Sequence, residues 1–310
     1  AGGARSGAVG FSIGNKGYIG TGGERGVSKA DFWEYDPSTN VWTQKADFAG
    51  GARSGAVGFS IGNKGYIGTG GERGVSKADF WEYDPSTNVW TQKADFAGGA
   101  RSGAVGFSIG NKGYVGTGGE GSVRKADFWE YDPATDKWTQ KADFAGTARA
   151  YATGFSIGNK GYLGTGSSMG LQTDFWEYDQ ATDKWTKKAD FAGGERSDAT
   201  GFSIGNKGYL GTGYDPSARY GNPRADFWEY DPINDMWTKK ADFAGGARAA
   251  AVGFSIGTKG YLGTGIESPK DFMEYDPTID SWLKKTNLGN DGRLAAVGFS
   301  IGHKGYVGRG

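Results

Sequence analysis

The stretch AVGFSIGNKGYIGTGG, residues 8–23, decides the fold. Val9, Phe11 and Ile13 alternate with Ala8, Gly10 and Ser12, the period-two pattern of a strand with one bulky face and one small face. Asn15–Lys16–Gly17 is turn chemistry, and Tyr18–Gly22 begins a second strand, so the stretch reads as a hairpin. The phrase GFSIGxKGY then recurs, seven times in all, anchored at Phe11, Phe59, Phe107, Phe155, Phe202, Phe254 and Phe299. The spacings are 48, 48, 48, 47, 52 and 45 residues, periods that indicate propellers, solenoids or arrays.

Outward from the hairpin lies a second phrase, DFWEYDP followed by a Trp. It recurs six times with small changes, starting at Asp31, Asp79, Asp127, Asp174, Asp226 and Asp271. Asp31–Asp36 predicts a third strand, Pro37–Asn40 a turn, and Val41–Lys45 a fourth strand. No stretch shows a 3.6 period, so no helix is expected. Residues 1–48 and 49–96 are identical, and 97–144 differs at seven positions, a mark of recent copying. The chain divides into units 1–48, 49–96, 97–144, 145–191, 192–243 and 244–288 and a partial unit 289–310, forming one domain over 1–310.

Four short strands per unit, with the smallest residues on the innermost strand, specify an all-β propeller. The bulky face of one sheet fills space against the small face of the next. Seven inner hairpins but six outer ones leave two expectations: a seven-bladed ring with an incomplete last blade, or six blades with a surplus hairpin. In the second case the last hairpin pairs with the outer strands of unit one and displaces residues 1–22. Either way, unpaired edges offer a route to self-association.

Composition narrows the function classes. Glycine supplies 59 positions, while 11 Trp, 16 Tyr and 18 Phe argue for a packed core rather than disorder. Lys plus Arg equals Asp plus Glu at 35 each, against nucleic-acid or membrane-surface binding, and no window has the roughly 20 apolar residues of a membrane helix. Cysteine is absent and His303 is the single histidine, so no metal site, no cofactor and no Ser-His-Asp machinery is expected.

Tyr18, Gly22–Gly23, Trp33–Glu34–Tyr35–Asp36–Pro37 and Trp42 resemble the kelch repeat, and the resemblance runs through essentially all 310 residues. Departures are Ser167, Tyr214 and Ile266 at the second Gly of the pair, Met273 for Trp and Gln180 for Pro. The wording KGYIGTG, DFWEYDP and WTQKADF is similar to secreted or cell-envelope kelch-like proteins of bacteria, which implies an extracellular or envelope location.

Six positions before each anchoring Phe stands an Arg: Arg5, Arg53, Arg101, Arg149, Arg196, Arg248 and Arg293. It falls in the return loop to each innermost strand, where a ring of guanidiniums at one channel mouth would attract carboxylates. The resemblance agrees, since kelch propellers that bind acidic peptides use an Arg at this position. The alternative is structural: pairing with the Asp of the preceding ADF segment, or capping loop carbonyls. The loops between second and third strands vary most: GERGVSK (23–29), GEGSVRK (119–125), SSMGLQT (167–173), YDPSARYGNPR (214–224) and IESPK (266–270). They are expected on the same face, and Tyr214, Asp215, Arg219, Tyr220 and Arg224 mark the longest insertion as a candidate contact surface. The recurring carboxylates of DFWEYDP read as turn and packing residues, because catalysis needs one special environment rather than six equal ones.

Three functions are consistent with these residues. The first is a non-catalytic binding, adhesion or scaffold propeller that takes a protein or glycan ligand, including an acidic one. The second is a structural subunit linked through strand edges. The third is a metal-free sugar epimerase similar to the sialic acid type. Copper oxidases of this architecture are excluded by the missing Cys and the single His.

Overall fold

The innermost strands stand side by side in chain order, which is what makes the sheets radiate as blades. The computed structural model describes residues 6–14, 16–24, 27–36, 41–216, 222–249, 251–263, 272–284, 298–301 and 304–307. It is an all-β propeller with six four-stranded blades, and no helix occurs among the described residues. Blade 3 shows the pattern: Val105–Ile109, Lys112–Gly116, Phe128–Asp132 and Lys137–Gln140, each antiparallel to the last. Register is fixed by the pairs Phe107↔Tyr114, Tyr114↔Glu130 and Tyr131↔Trp138. Lys112 pairs with Ile109, so the hairpin turn is the Gly110–Asn111 step, and the lysine belongs to the strand rather than to the turn. Gly110 takes φ +58°, the left-handed region that glycine enters without strain.

Blades interlock through the small face. A methyl group placed on Gly106 would lie 2.9 Å from Val57 Cβ, and one on Gly161 would lie 2.7 Å from Phe107 Cε2. The glycines are therefore sockets for the bulky face of the preceding blade. Farther out, Phe80 of blade 2 meets Tyr131 and Trp138 of blade 3 edge-on, at centroid distances of 4.8 and 4.9 Å. At the rim, Trp138 Nε1 donates to the Ala94 carbonyl (3.0 Å), and the Ala94 amide donates to Asp136 Oδ1 (3.0 Å), joining the two blades. Core and blade interface are thus the same aromatic layer.

The seventh inner hairpin, Gly298–Ile301 with Lys304–Val307, forms a two-stranded sheet of its own. Its inner strand neighbours those of blades 6 and 1. The third strand of blade 1, Phe32–Asp36, pairs with Lys16–Glu24 and in turn with Val41–Lys45, so the last hairpin does not displace the first.

Candidate functional site

The return loop between blades is built around a buried arginine. Arg53, Arg101, Arg149, Arg196 and Arg248 are each 0% exposed. Arg101 donates from Nη1 and Nη2 to the two carboxylate oxygens of Asp127, each at 2.7 Å. It also donates from Nη1 to the Thr117 carbonyl (2.8 Å), from Nε to the Gly99 carbonyl (3.3 Å) and from Nη2 to the Gly98 carbonyl. Its guanidinium sits 4.7 Å from the centre of the Phe96 ring. All five donors of the group are engaged. Arg53–Asp79, Arg149–Asp174 and Arg196–Asp226 repeat the bidentate pair, and Arg248 lies over Phe243 at 4.4 Å.

Burial works against ionisation of Asp127, but hydrogen bonds from Arg101 and Trp129, with the Arg101 charge, outweigh it and hold the carboxyl below its ordinary value. The expected ring of open guanidiniums at a channel mouth is corrected for Arg53, Arg101, Arg149 and Arg196: their charge is already spent on an internal carboxylate. The partner also differs from the Asp of the preceding ADF segment. That segment contributes its Phe, and the carboxylate comes from the Asp that opens the next DFWEYD. Arg5 and Arg293 lie outside the described residues.

The variable loops of blades 2 to 5 share a face with these return loops, and the 266–270 loop lies outside the described residues. Ser54 bridges Gly71, Ser102 bridges Gly119, Ala150 bridges Ser167 and Ser197 bridges Tyr214. In blade 5 the insertion begins as a short ribbon, with Tyr214 opposite Pro223 and Asp215 opposite Asn222. Asp215 is 4% exposed and is salt-bridged to Nε of the half-exposed Arg224. Tyr214 is half-buried. Arg219 and Tyr220 lie outside the described residues.

Where the repeats stop being alike is more informative. Two positions after the buried Arg, blades 2 and 3 place Gly55 and Gly103 at φ +63° and +62°. Blades 4 and 5 place Tyr151 and Asp198 there, at φ +56° and +53°. A tyrosine in that region costs of order 1–2 kcal/mol, and such outliers gather at functional sites. The backbone links them in a belt: the Tyr151 amide donates to the Gly103 carbonyl (3.0 Å), and the Asp198 amide donates to the Tyr151 carbonyl (3.3 Å). Tyr151 is 47% exposed, and a methyl on Gly103 would lie 3.0 Å from its Cε1, so the ring leans over the bare glycine of blade 3.

Asp198 accepts a hydrogen bond from Ser197 Oγ at 3.0 Å and faces no cation at ion-pair distance among the described residues. Burial pushes its carboxyl above the ordinary value, against the Ser197 bond, which favours the charge. The same two blades carry Thr153 and Thr200 where blades 1 to 3 have Val, and each hydroxyl donates to the next blade's return loop, at Ala199 and Ala251 carbonyls (3.0 Å each). Blades 4 and 5 thus form one polar, strained sector running from Tyr151 through Asp198 and Ser197 to Tyr214. Sequence reasoning passed over Tyr151 and Asp198. The available signal was their replacement of a glycine in otherwise copied units.

No group of three or more His, Cys, Asp or Glu able to hold a metal occurs among the described residues.

Compared with protein-family profiles and with curated protein sequences, the chain matches none. Among solved structures it is similar to one titled "Structure of YjhT", with a TM-score of 0.76 and 18% identity, covering 91% of this chain and 98% of that one. At that identity the likeness concerns the fold, a β-propeller.

Proposed function

We propose that this chain is a non-catalytic binding propeller of the kelch type, secreted or displayed on a cell envelope, which holds a protein or glycan ligand on the loop face of blades 4 and 5. One observation carries the reading. Loops and inner-strand starts are near-copies in blades 1 to 3, whereas two positions after the buried Arg, where blades 2 and 3 keep glycine, blades 4 and 5 place Tyr151 and Asp198 at positive φ, and blade 5 adds the 214–224 insertion. The seventh hairpin is read as an incomplete blade position whose free edge would serve self-association.

A second reading, a metal-free sugar epimerase, draws on the same pair. A carboxyl whose protonation point is raised by burial, as that of Asp198 is, is competent to move a proton. The two are separated by incubating the protein with candidate sugars in heavy water. Solvent deuterium entering a C–H position supports the enzyme, whereas saturable binding without exchange supports the binding propeller. Titration of a saccharide and peptide panel against the Tyr151→Gly/Asp198→Gly protein locates the site. Undiminished binding by that variant refutes the sector.

A further inference from the structure

We infer that the seventh blade position is a docking site for a β-hairpin of a separate polypeptide, one whose first strand carries Glu and Asp two residues apart and whose second strand carries a Trp. The inference goes beyond the binding sector of blades 4 and 5 and rests on the reading of Gly298–Ile301 with Lys304–Val307 as an incomplete blade. Two observations support that reading. From the fourth-strand Trp to the next anchoring Phe is 17 positions in every unit, from Trp90 to Phe107 as from Trp282 to Phe299, so the seventh hairpin follows a connection of ordinary return-loop length. Its inner strand stands between those of blades 6 and 1, and its register, Phe299↔Tyr306 and Ile301↔Lys304, is that of Phe107↔Tyr114 and Ile109↔Lys112. Among the described residues, Lys304–Val307 pairs with Gly298–Ile301 alone.

The complete blades define what such an edge takes. The Lys that opens the second strand is ion-paired with the Asp that closes the third, as in Lys112–Asp132 and Lys207–Asp231 at 2.6 Å each, and the pair recurs in blades 2, 4 and 6. Two positions on, the Tyr donates to a third-strand Glu in blades 1 to 5, as Tyr114 does to Glu130 Oε2 at 2.6 Å. Lys304 and Tyr306 repeat these two register positions, so the complementary strand is acidic at both. The seam between blades adds aromatics. The Phe that opens the third strand in blades 1 to 5 meets a Tyr and a Trp of the next blade at 4.8–5.0 Å. Phe272 opens the sixth such strand, and the sequence holds no seventh DFWEYD phrase to follow it.

Counting decides against a second copy as the occupant. Each chain has seven GFSIGxKGY hairpins and six DFWEYD phrases, and all six third strands are paired within their own blades. A hairpin swapped between copies therefore fills one position by opening another. Two rings cannot join edge to edge either. Blades 1 and 6 carry two strands, about 10 Å, beyond their second strands, so the edge of Lys304–Val307 lies recessed between them in every copy. A lone hairpin, two strands wide, matches that depth. Main-chain pairing with the open strand supplies its affinity, and the acidic and aromatic positions supply its selectivity.

The test titrates a fluorescein-labelled synthetic peptide, DFWEYDPSTNVWTQK, the sequence of residues 79–93, into the intact protein, with a scrambled peptide of the same composition as control. The peptide should bind one to one with a Kd of about 0.1 mM or tighter and raise the melting temperature, and the scrambled peptide should do neither. Lys304→Glu should weaken binding about 5-fold, and a peptide carrying Asp84→Lys should regain that loss against the Lys304→Glu protein. Absence of saturable binding overturns the inference, as does equal binding to Lys304→Glu and the parent. A dimer in sedimentation of the protein alone, dissociated by the peptide, assigns the edge to a second copy and overturns the separate partner. Phe299→Ala tests the underlying reading on its own, because a hairpin packed as a blade should lose melting temperature through the cavity. If it does and no peptide binds, the incomplete blade stands and the docking site falls. An unchanged melting temperature removes both.

Discussion

Arg101 and Asp127, 26 positions apart, hold each other through two parallel hydrogen bonds of 2.7 Å inside the seam between blades. The arginine is wholly buried and the carboxylate side chain one-fifth exposed at 20%. Breaking a buried pair from one side leaves an uncompensated charge and costs about 3–5 kcal/mol, and the partial exposure of Asp127 puts this pair at the low end. Arg101→Ala should therefore lower stability by about 3 kcal/mol in denaturant unfolding, while the exposed Lys137→Ala should stay within about 0.5 kcal/mol. Loss of ligand binding with unchanged stability in Arg101→Ala would return the arginine to a binding role.

The same pairs set the response to acid. Asp79, Asp127, Asp174 and Asp226 all titrate below the ordinary 3.8, burial opposing and their arginines prevailing. The folded carboxylates bind protons more weakly than the unfolded ones, so the stability they contribute is complete above 3.8 and is lost as pH falls through the lower folded values. Melting temperature should be flat near neutrality and drop steeply below about pH 4. Asp127→Asn should be less stable than the parent at pH 6, with the gap narrowing at lower pH. A gap that is the same at pH 6 and pH 3 would contradict this account.

The socket between blades 3 and 4 predicts a non-additive pair. Phe107→Ala should cost about 3–5 kcal/mol as a cavity. Gly161→Ala drives a methyl to 2.7 Å from the Phe107 ring and should cost about 1–3 kcal/mol by overpacking. Combining them lets the new methyl occupy part of the space the ring vacates. The double variant should be more stable than the sum of the singles implies, by at least about 0.5 kcal/mol in a double-mutant cycle. Strict additivity would mean the two residues do not share a contact.

The fold was legible because its determinants are local and repeated. Phe107 with Gly106 shows which face is bulky and which is small, and the Asp-Pro that ends five of the six third strands marks the turn. The role of the arginine was not legible, because its partner lies in another phrase: Arg101 needs Asp127, and both recur so regularly that neither stood out as a pair. The site was obscured for the opposite reason. Tyr151 and Asp198 are single departures at a position whose meaning, a left-handed backbone, appears only when the φ of Gly55 and Gly103 is known. The 214–224 insertion drew attention by length, yet its Asp215–Arg224 pair closes on itself.

Asp198 should betray its site through stability as well as binding. Burial raises its protonation point above 3.8, so folding favours the neutral carboxyl, the reverse of Asp127. Its unfavourable contribution is absent at pH values below 3.8, grows as pH rises from there to the folded value, and is then constant. Asp198→Asn keeps the shape, removes the charge and suits the left-handed backbone equally well. The variant should therefore unfold at a higher temperature than the parent at pH 7, and the two should converge at pH 3.5. A surface aspartate would give no gain at either pH. An aspartate held by a structural cation would give a loss at pH 7, and that result would make Asp198 one more latch of the Arg101–Asp127 kind.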